Sequence, residues 1–173
     1  MKLSDLFDSF ERSAFRLEAL DAYDVPQDTE RLAQFLAGEP MSPRTVETSP
    51  WLQRVQKTVA EGRSMSRVHA VSRPLTDYIR YELASYAGNV AAGEHVLIAD
   101  RGQHDDGLAD LSDDFWLFDD ATVALMRYDA DGTFLGAEDD TDRLVHYRAI
   151  RDRAVAAAVP YKHFMESEGL LAR

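Results

Sequence analysis

The run from Arg67 to Ala99 restricts the fold of this 173-residue chain more than any other. Residues Arg67–Val71 read as a strand, Pro74 turns the chain, and Leu75, Ile79, Leu83 and Tyr86 recur at helical spacing before a second apolar segment, His95–Ala99. Strand, helix and strand in that order imply a crossover between parallel strands, because a tight turn joins only antiparallel neighbours. Period two puts Arg67, His69 and Val71 on one face of the first strand, with Val68 and Ala70 on the other.

Around this unit the chain alternates helices and strands. Leu3, Leu6, Phe7 and Phe10 form a helical stripe, and Phe15, Leu17 and Ala19 alternate with Arg16 and Glu18 as a strand. Asp28 is placed to cap a helix carrying Leu32, Phe35 and Leu36, which Gly38 ends. Residues 38–50 hold three prolines and read as a loop, and Ser49-Pro50 opens a helix that buries Trp51, Leu52, Val55 and Val59. After an acidic loop, 101–113, DFWLFDD and TVALMRYD read as strands. DADG predicts a hairpin turn into Thr133-Phe134-Leu135, and a final helix carries Leu144, Tyr147, Ile150, Ala154 and Ala157 inward, with Arg148 and Asp152 as an outer i,i+4 pair. Pro160 breaks that helix. The expectation is one domain over 1–173 of mixed α/β class, a sheet of five or six strands flanked by helices.

Composition excludes several chemistries. The chain has no cysteine, so disulfides, thiolate nucleophiles, iron–sulfur clusters and cysteine zinc sites are ruled out. No apolar run approaches the roughly 20 residues of a membrane span, and the N-terminal residues lack a signal-peptide core, so a cytoplasmic protein is expected. Thirty-one acids against 19 Lys and Arg give a formal −12, which argues against direct nucleic-acid binding and suits docking on a basic partner.

Motif by motif, catalysis finds little support. In an EF-hand register over DADG, Arg127 takes the first ligand position and Leu135 another, so a hairpin is the better account. His104, Asp105 and Asp106 are consecutive and cannot easily converge on one ion. GRSMS, from Gly62, lacks the second glycine of a nucleophile elbow. There is no P-loop and no dinucleotide fingerprint, and adjacent Asp119 and Asp120 suit a turn rather than a shared proton. No catalytic residue, metal or cofactor is assigned. The candidate binding residues are Arg67, His69, Arg73, Asp77, Tyr78, Arg80 and Tyr81, with Asp77, Arg80 and Tyr81 on the exposed side of the helix. They could form an anion or peptide patch, or line a small-molecule or enzyme pocket with His69 as base, or merely pair inside the protein to fix helix to sheet. Trp116 is either core or a ligand platform.

Three longer phrases, SAFRLEALDAYDVP with RLAQFLAGEP, RVHAVSRPLTDYIRYEL with NVAAGE, and DFWLFDDATVALMRYDADGTFLG, resemble an actinobacterial family with no assigned function. Genes of that family often neighbour Xre-type helix-turn-helix regulators, in pairs compared with toxin–antitoxin modules. The resemblance therefore implies a helix-turn-helix regulator as partner and supplies no catalytic residues. A fainter likeness is to phospholipase D-like domains, whose chemistry needs a lysine two residues after a histidine. Here Val71 stands two residues after His69, which implies a non-catalytic relative.

Overall fold

The computed structural model describes residues 1–103 and 107–170, so the His104, Asp105 and Asp106 candidate lies outside the described residues. The elements run α1 (Leu3–Ser9), β1 (Ser13–Glu18), α2 (Thr29–Leu36), α3 (Pro50–Ala60), β2 (Ser64–Val71), α4 (Asp77–Ala91), β3 (His95–Asp100), β4 (Asp114–Phe118), β5 (Thr122–Tyr128), β6 (Phe134–Asp139), α5 (Leu144–Ala157), β7 (Ala158–Pro160) and α6 (Tyr161–Ser167). One sheet carries all seven strands in the order β6-β5-β4-β1-β2-β3-β7. Strands β1, β2 and β3 are parallel, so the crossover expected from Arg67 to Ala99 is present; β4 pairs antiparallel with β1 and leads a meander through β5 to β6.

The seventh strand exceeds the expected five or six. It is Ala158–Pro160, which follows the end of α5 at Ala157 and puts Pro160 on an edge strand opposite Leu97. A proline is tolerated there because no ladder hydrogen bond is needed on the open side. Helix α4 starts at Asp77, three residues after Pro74, because Thr76 accepts from the Ile79 N–H at 3.1 Å and caps it. Between β4 and β5, Asp119 and Asp120 both adopt positive φ, 54° and 56°, in the turn expected of them. DADG is likewise a hairpin: Gly132 has φ 85°, and Asp129 Oδ1 accepts from the N–H groups of Asp131 and Thr133. On α5, Arg148 reaches Asp120 and Asp152 pairs with Arg151, in place of the expected Arg148–Asp152 pair.

Each face of the sheet has its own apolar layer. Phe15, Leu17, Val68, Ala70, Phe115, Leu117, Val123 and Leu125 pack under Tyr147, Ile150 and Ala154 of α5. On the opposite face, Phe7, Phe10, Leu52 and Val55 of α1 and α3 and their surroundings cover Ala14, Met65, Trp116 and Phe118, while α4 and α6 cover Val71, Val96 and Ile98. Between those two apolar clusters runs a polar seam. No helix among the described residues is long and apolar enough to cross a membrane.

Candidate functional site

The seam consists of the side chains that β1, β2 and β4 turn toward α4. Arg16 and Glu18 alternate with Phe15 and Leu17 on β1, and Arg67 and His69 alternate with Val68 on β2. The alternation on β1 suggests solvent for Arg16 and Glu18, but β1 lies between two strands with helices on both faces, so they are buried. Buried charges persist only when paired. Arg67 Nε donates to Glu94 Oε1 at 2.5 Å, and its Nη1 donates to Glu18 Oε2 at 3.0 Å. Asn89 donates to the other Glu94 oxygen at 2.6 Å. Arg16 binds Asp114 and the Tyr128 hydroxyl, and Asp114 also accepts from the Ala19 N–H at 2.9 Å and from Tyr23 at 3.0 Å.

His69 sits at the centre, 1% exposed. Its Nε2 lies 3.0 Å from the Leu20 carbonyl oxygen, which can only accept, so Nε2 carries a proton. Nδ1 faces Tyr86 Oη at 2.8 Å, Glu82 Oε2 at 3.2 Å and Glu18 Oε2 at 3.7 Å, and Tyr86 donates to Glu18 at 2.8 Å. Burial opposes the imidazolium, but Glu82 and then Glu18 overcome it and raise His69 to about 9. Burial would raise Glu18; Arg67, His69 and Arg16 outweigh it and hold the carboxyl at about 2. For Glu82 burial prevails over His69, and its pKa is raised. The ligand atoms of Glu18, His69 and Glu82 all lie within 4.8 Å of one another, the one such grouping among the described residues.

The binding residues expected from sequence do not form one surface. Arg67 and His69 belong to the seam. Arg73 lies at the outer end of β2, clamped by Asp100 and Glu168 over the ring of Phe164. Asp77 and Arg80 are exposed on α4, as expected. Tyr81 is a correction: it is 1% exposed, packed against Phe35, not on the open side of the helix. Tyr78 is buried between Tyr23 and Tyr81. Trp116 is core, edge-on to Phe7 and stacked on Phe118, with Arg16 over its ring. A pocket with His69 as an accessible base is therefore not built, because α4 and the Leu20 backbone seal the ring.

Sequence reading missed Arg16, Glu18, Glu82, Tyr86, Glu94 and Asp114. The available signal was a pair of charged i,i+2 positions on each of two strands that sit side by side, Arg16 and Glu18 opposite Arg67 and His69. Larger hollows open elsewhere. One of about 430 Å³ lies between α1 and α3, walled by Phe7, Asp8, Arg54, Lys57 and Arg63. Its cations are already paired, Arg54 with Asp8, and Lys57 and Arg63 with Glu61.

No curated protein matches the sequence. A family profile does, described as a domain of unknown function, DUF6879, and it matches residues 1–166. With the seven-stranded sheet and its charged seam contained in that span, the chain belongs to the DUF6879 family.

Proposed function

We propose that this protein is a non-enzymatic regulatory interaction protein that docks on the basic DNA-binding face of a helix-turn-helix regulator. The observation that carries the reading is where the charge lies. Four acids and two arginines lie in the seam, so 27 acids and 17 Lys and Arg remain for the rest of the chain, a formal −10. At one place those acids border exposed apolar side chains. Strand β6 is the last of the sheet, Phe134 and Leu135 on it are 45% and 65% exposed, and Asp24, Asp129 and Asp131 surround the turn that leads into it. Asp24 ties that turn to the loop after β1: its N–H donates to the Gly132 carbonyl at 3.0 Å, and its carboxylate accepts from Thr133 Oγ1 at 3.5 Å. An acidic rim around an apolar patch complements a cationic surface with its own apolar contacts, and it competes with DNA phosphate for that surface.

The experiment is titration calorimetry of the purified protein against a helix-turn-helix regulator encoded beside it. Binding at low ionic strength that weakens steeply between 50 and 200 mM salt, roughly as screened surface charges require, supports the reading. Absence of association at low salt removes it. The rival reading is a small-molecule or enzymatic pocket around Arg67, His69, Asp77 and Arg80, of which Arg67 and His69 are buried and paired in the seam.

A further inference from the structure

The centre of the seam contains an electrostatic gap. His69 carries its ring proton on Nε2, facing the Leu20 carbonyl. The Tyr86 proton is committed to Glu18. A neutral His69 would then point its Nδ1 lone pair at Glu82 Oε2, 3.2 Å away, with Glu18 Oε2 at 3.7 Å, so lone pairs would face one another in a dry interior. Glu82 Oε2 is fully shielded from solvent, and the polar atom that faces it is His69 Nδ1, 3.2 Å away. The Tyr78 hydroxyl is likewise buried and unpartnered. With His69 neutral, Arg16 and Arg67 alone face Glu18, Glu82, Glu94 and Asp114, which leaves two negative charges unmatched.

We propose that Glu18, His69 and Glu82 bind a divalent cation of the zinc class, with Nδ1 and one oxygen from each carboxylate as ligands. Zinc sits about 2.0–2.2 Å from such atoms, so the edges of its tetrahedron are roughly 3.3–3.5 Å. The two edges meeting at Nδ1, 3.2 and 3.7 Å, bracket that length. The Nε2 bond to a backbone carbonyl is the support that orients a ligating imidazole and makes its other nitrogen a better donor. Tyr86 Oη, 2.8 Å from both Nδ1 and Glu18 Oε2, keeps its proton on Glu18 and borders the fourth position. One divalent ion cancels the two unmatched charges, whereas a proton on His69 cancels only one. Local spacing could not reveal the set, since its members come from β1, β2 and α4.

The test uses the full chain, stripped with chelator under denaturing conditions and refolded with Zn²⁺, Co²⁺ or Mg²⁺ because the site is enclosed. The expected results are one zinc per chain by elemental analysis, a melting temperature raised by Zn²⁺ and not by Mg²⁺, and visible absorption bands of tetrahedral Co²⁺. Glu82→Gln retains the volume of the side chain that faces His69. It should fold yet bind Zn²⁺ more weakly by over the roughly 10- to 100-fold that loss of a supporting partner costs. Refolded protein that holds no metal overturns the proposal, and nitrogen chemical shifts showing His69 protonated on both ring nitrogens would then identify the seam as an ion-pair network closed by an imidazolium. Equal Zn²⁺ affinity in Glu82→Gln would overturn it as well.

Discussion

Asp119 shows how one side chain can hold two distant segments. At φ 54° it closes the β4–β5 turn, and its carboxylate accepts the N–H groups of Glu11, Arg12 and Ser13 at 2.8, 2.6 and 3.0 Å, which anchors the start of β1. Its slight burial opposes ionisation, but the three backbone donors prevail and hold it below its ordinary 3.8. A depressed pKa contributes stability that is complete above the ordinary value and is lost as pH falls through the native one. Asp119→Asn keeps the turn geometry and loses the charge, so it should cost about 1–2 kcal/mol at neutral pH in urea unfolding. The deficit should shrink below pH 4; a deficit independent of pH would show that the carboxylate's charge plays no part. Arg67 is the stronger case, because it alone neutralises Glu18 and Glu94 together. Arg67→Met should cost about 3–5 kcal/mol, because it strips Glu94 of its cation and leaves Glu18 only the more distant Arg16 and His69; loss of less than about 1 kcal/mol would mean the seam is wetter than its burial indicates.

At the scale of elements, the β2–α4–β3 crossover was legible because its apolar spacing switches from two to four and back around Pro74. The hairpin at DADG was legible for a local reason too, the glycine that its positive φ requires. Two features were not. Strand β7 is three residues long and follows α5 directly, so no periodicity announces it. The seam was hidden because alternating charge on β1 has the same pattern whether the far face meets water or a helix; only the pairing of β1 between β2 and β4, under α4, decides. Thr76 belongs to this scale. It caps α4 and donates to the Asp21 carbonyl at 2.7 Å, so one hydroxyl sets both the start of the helix and its seat on the loop after β1. Thr76→Ala should lower stability by about 1 kcal/mol, and hydrogen exchange in the first turn of α4 should rise. Unchanged exchange there would mean the turn is held by Leu75 and Tyr78 packing instead.

Taken as a molecule, the protein segregates its charge. Inside, a few cations and anions face each other across β1, β2 and α4; outside, acids predominate and border the open β6 edge. Net charge alone could be read from the sequence, whereas which acids are spent internally and which border Phe134 and Leu135 could not, because that division depends on sheet order. Docking through the β6 edge predicts that Asp24→Asn with Asp131→Asn, both exposed and remote from the seam, leave the melting temperature within about 1–2 °C while weakening the regulator complex severalfold. Leu135→Ser should raise the dissociation rate more than it lowers the association rate, the reverse of the acidic pair.

The most direct measurement follows a fluorescently labelled operator duplex bound to the helix-turn-helix regulator while this protein is added, with anisotropy as the readout. Docking on the DNA-binding face predicts that anisotropy falls to the value of free DNA, and that the Asp24→Asn, Asp131→Asn variant needs a severalfold higher concentration to achieve it. Anisotropy that stays constant, or rises as a ternary complex forms, would contradict the account.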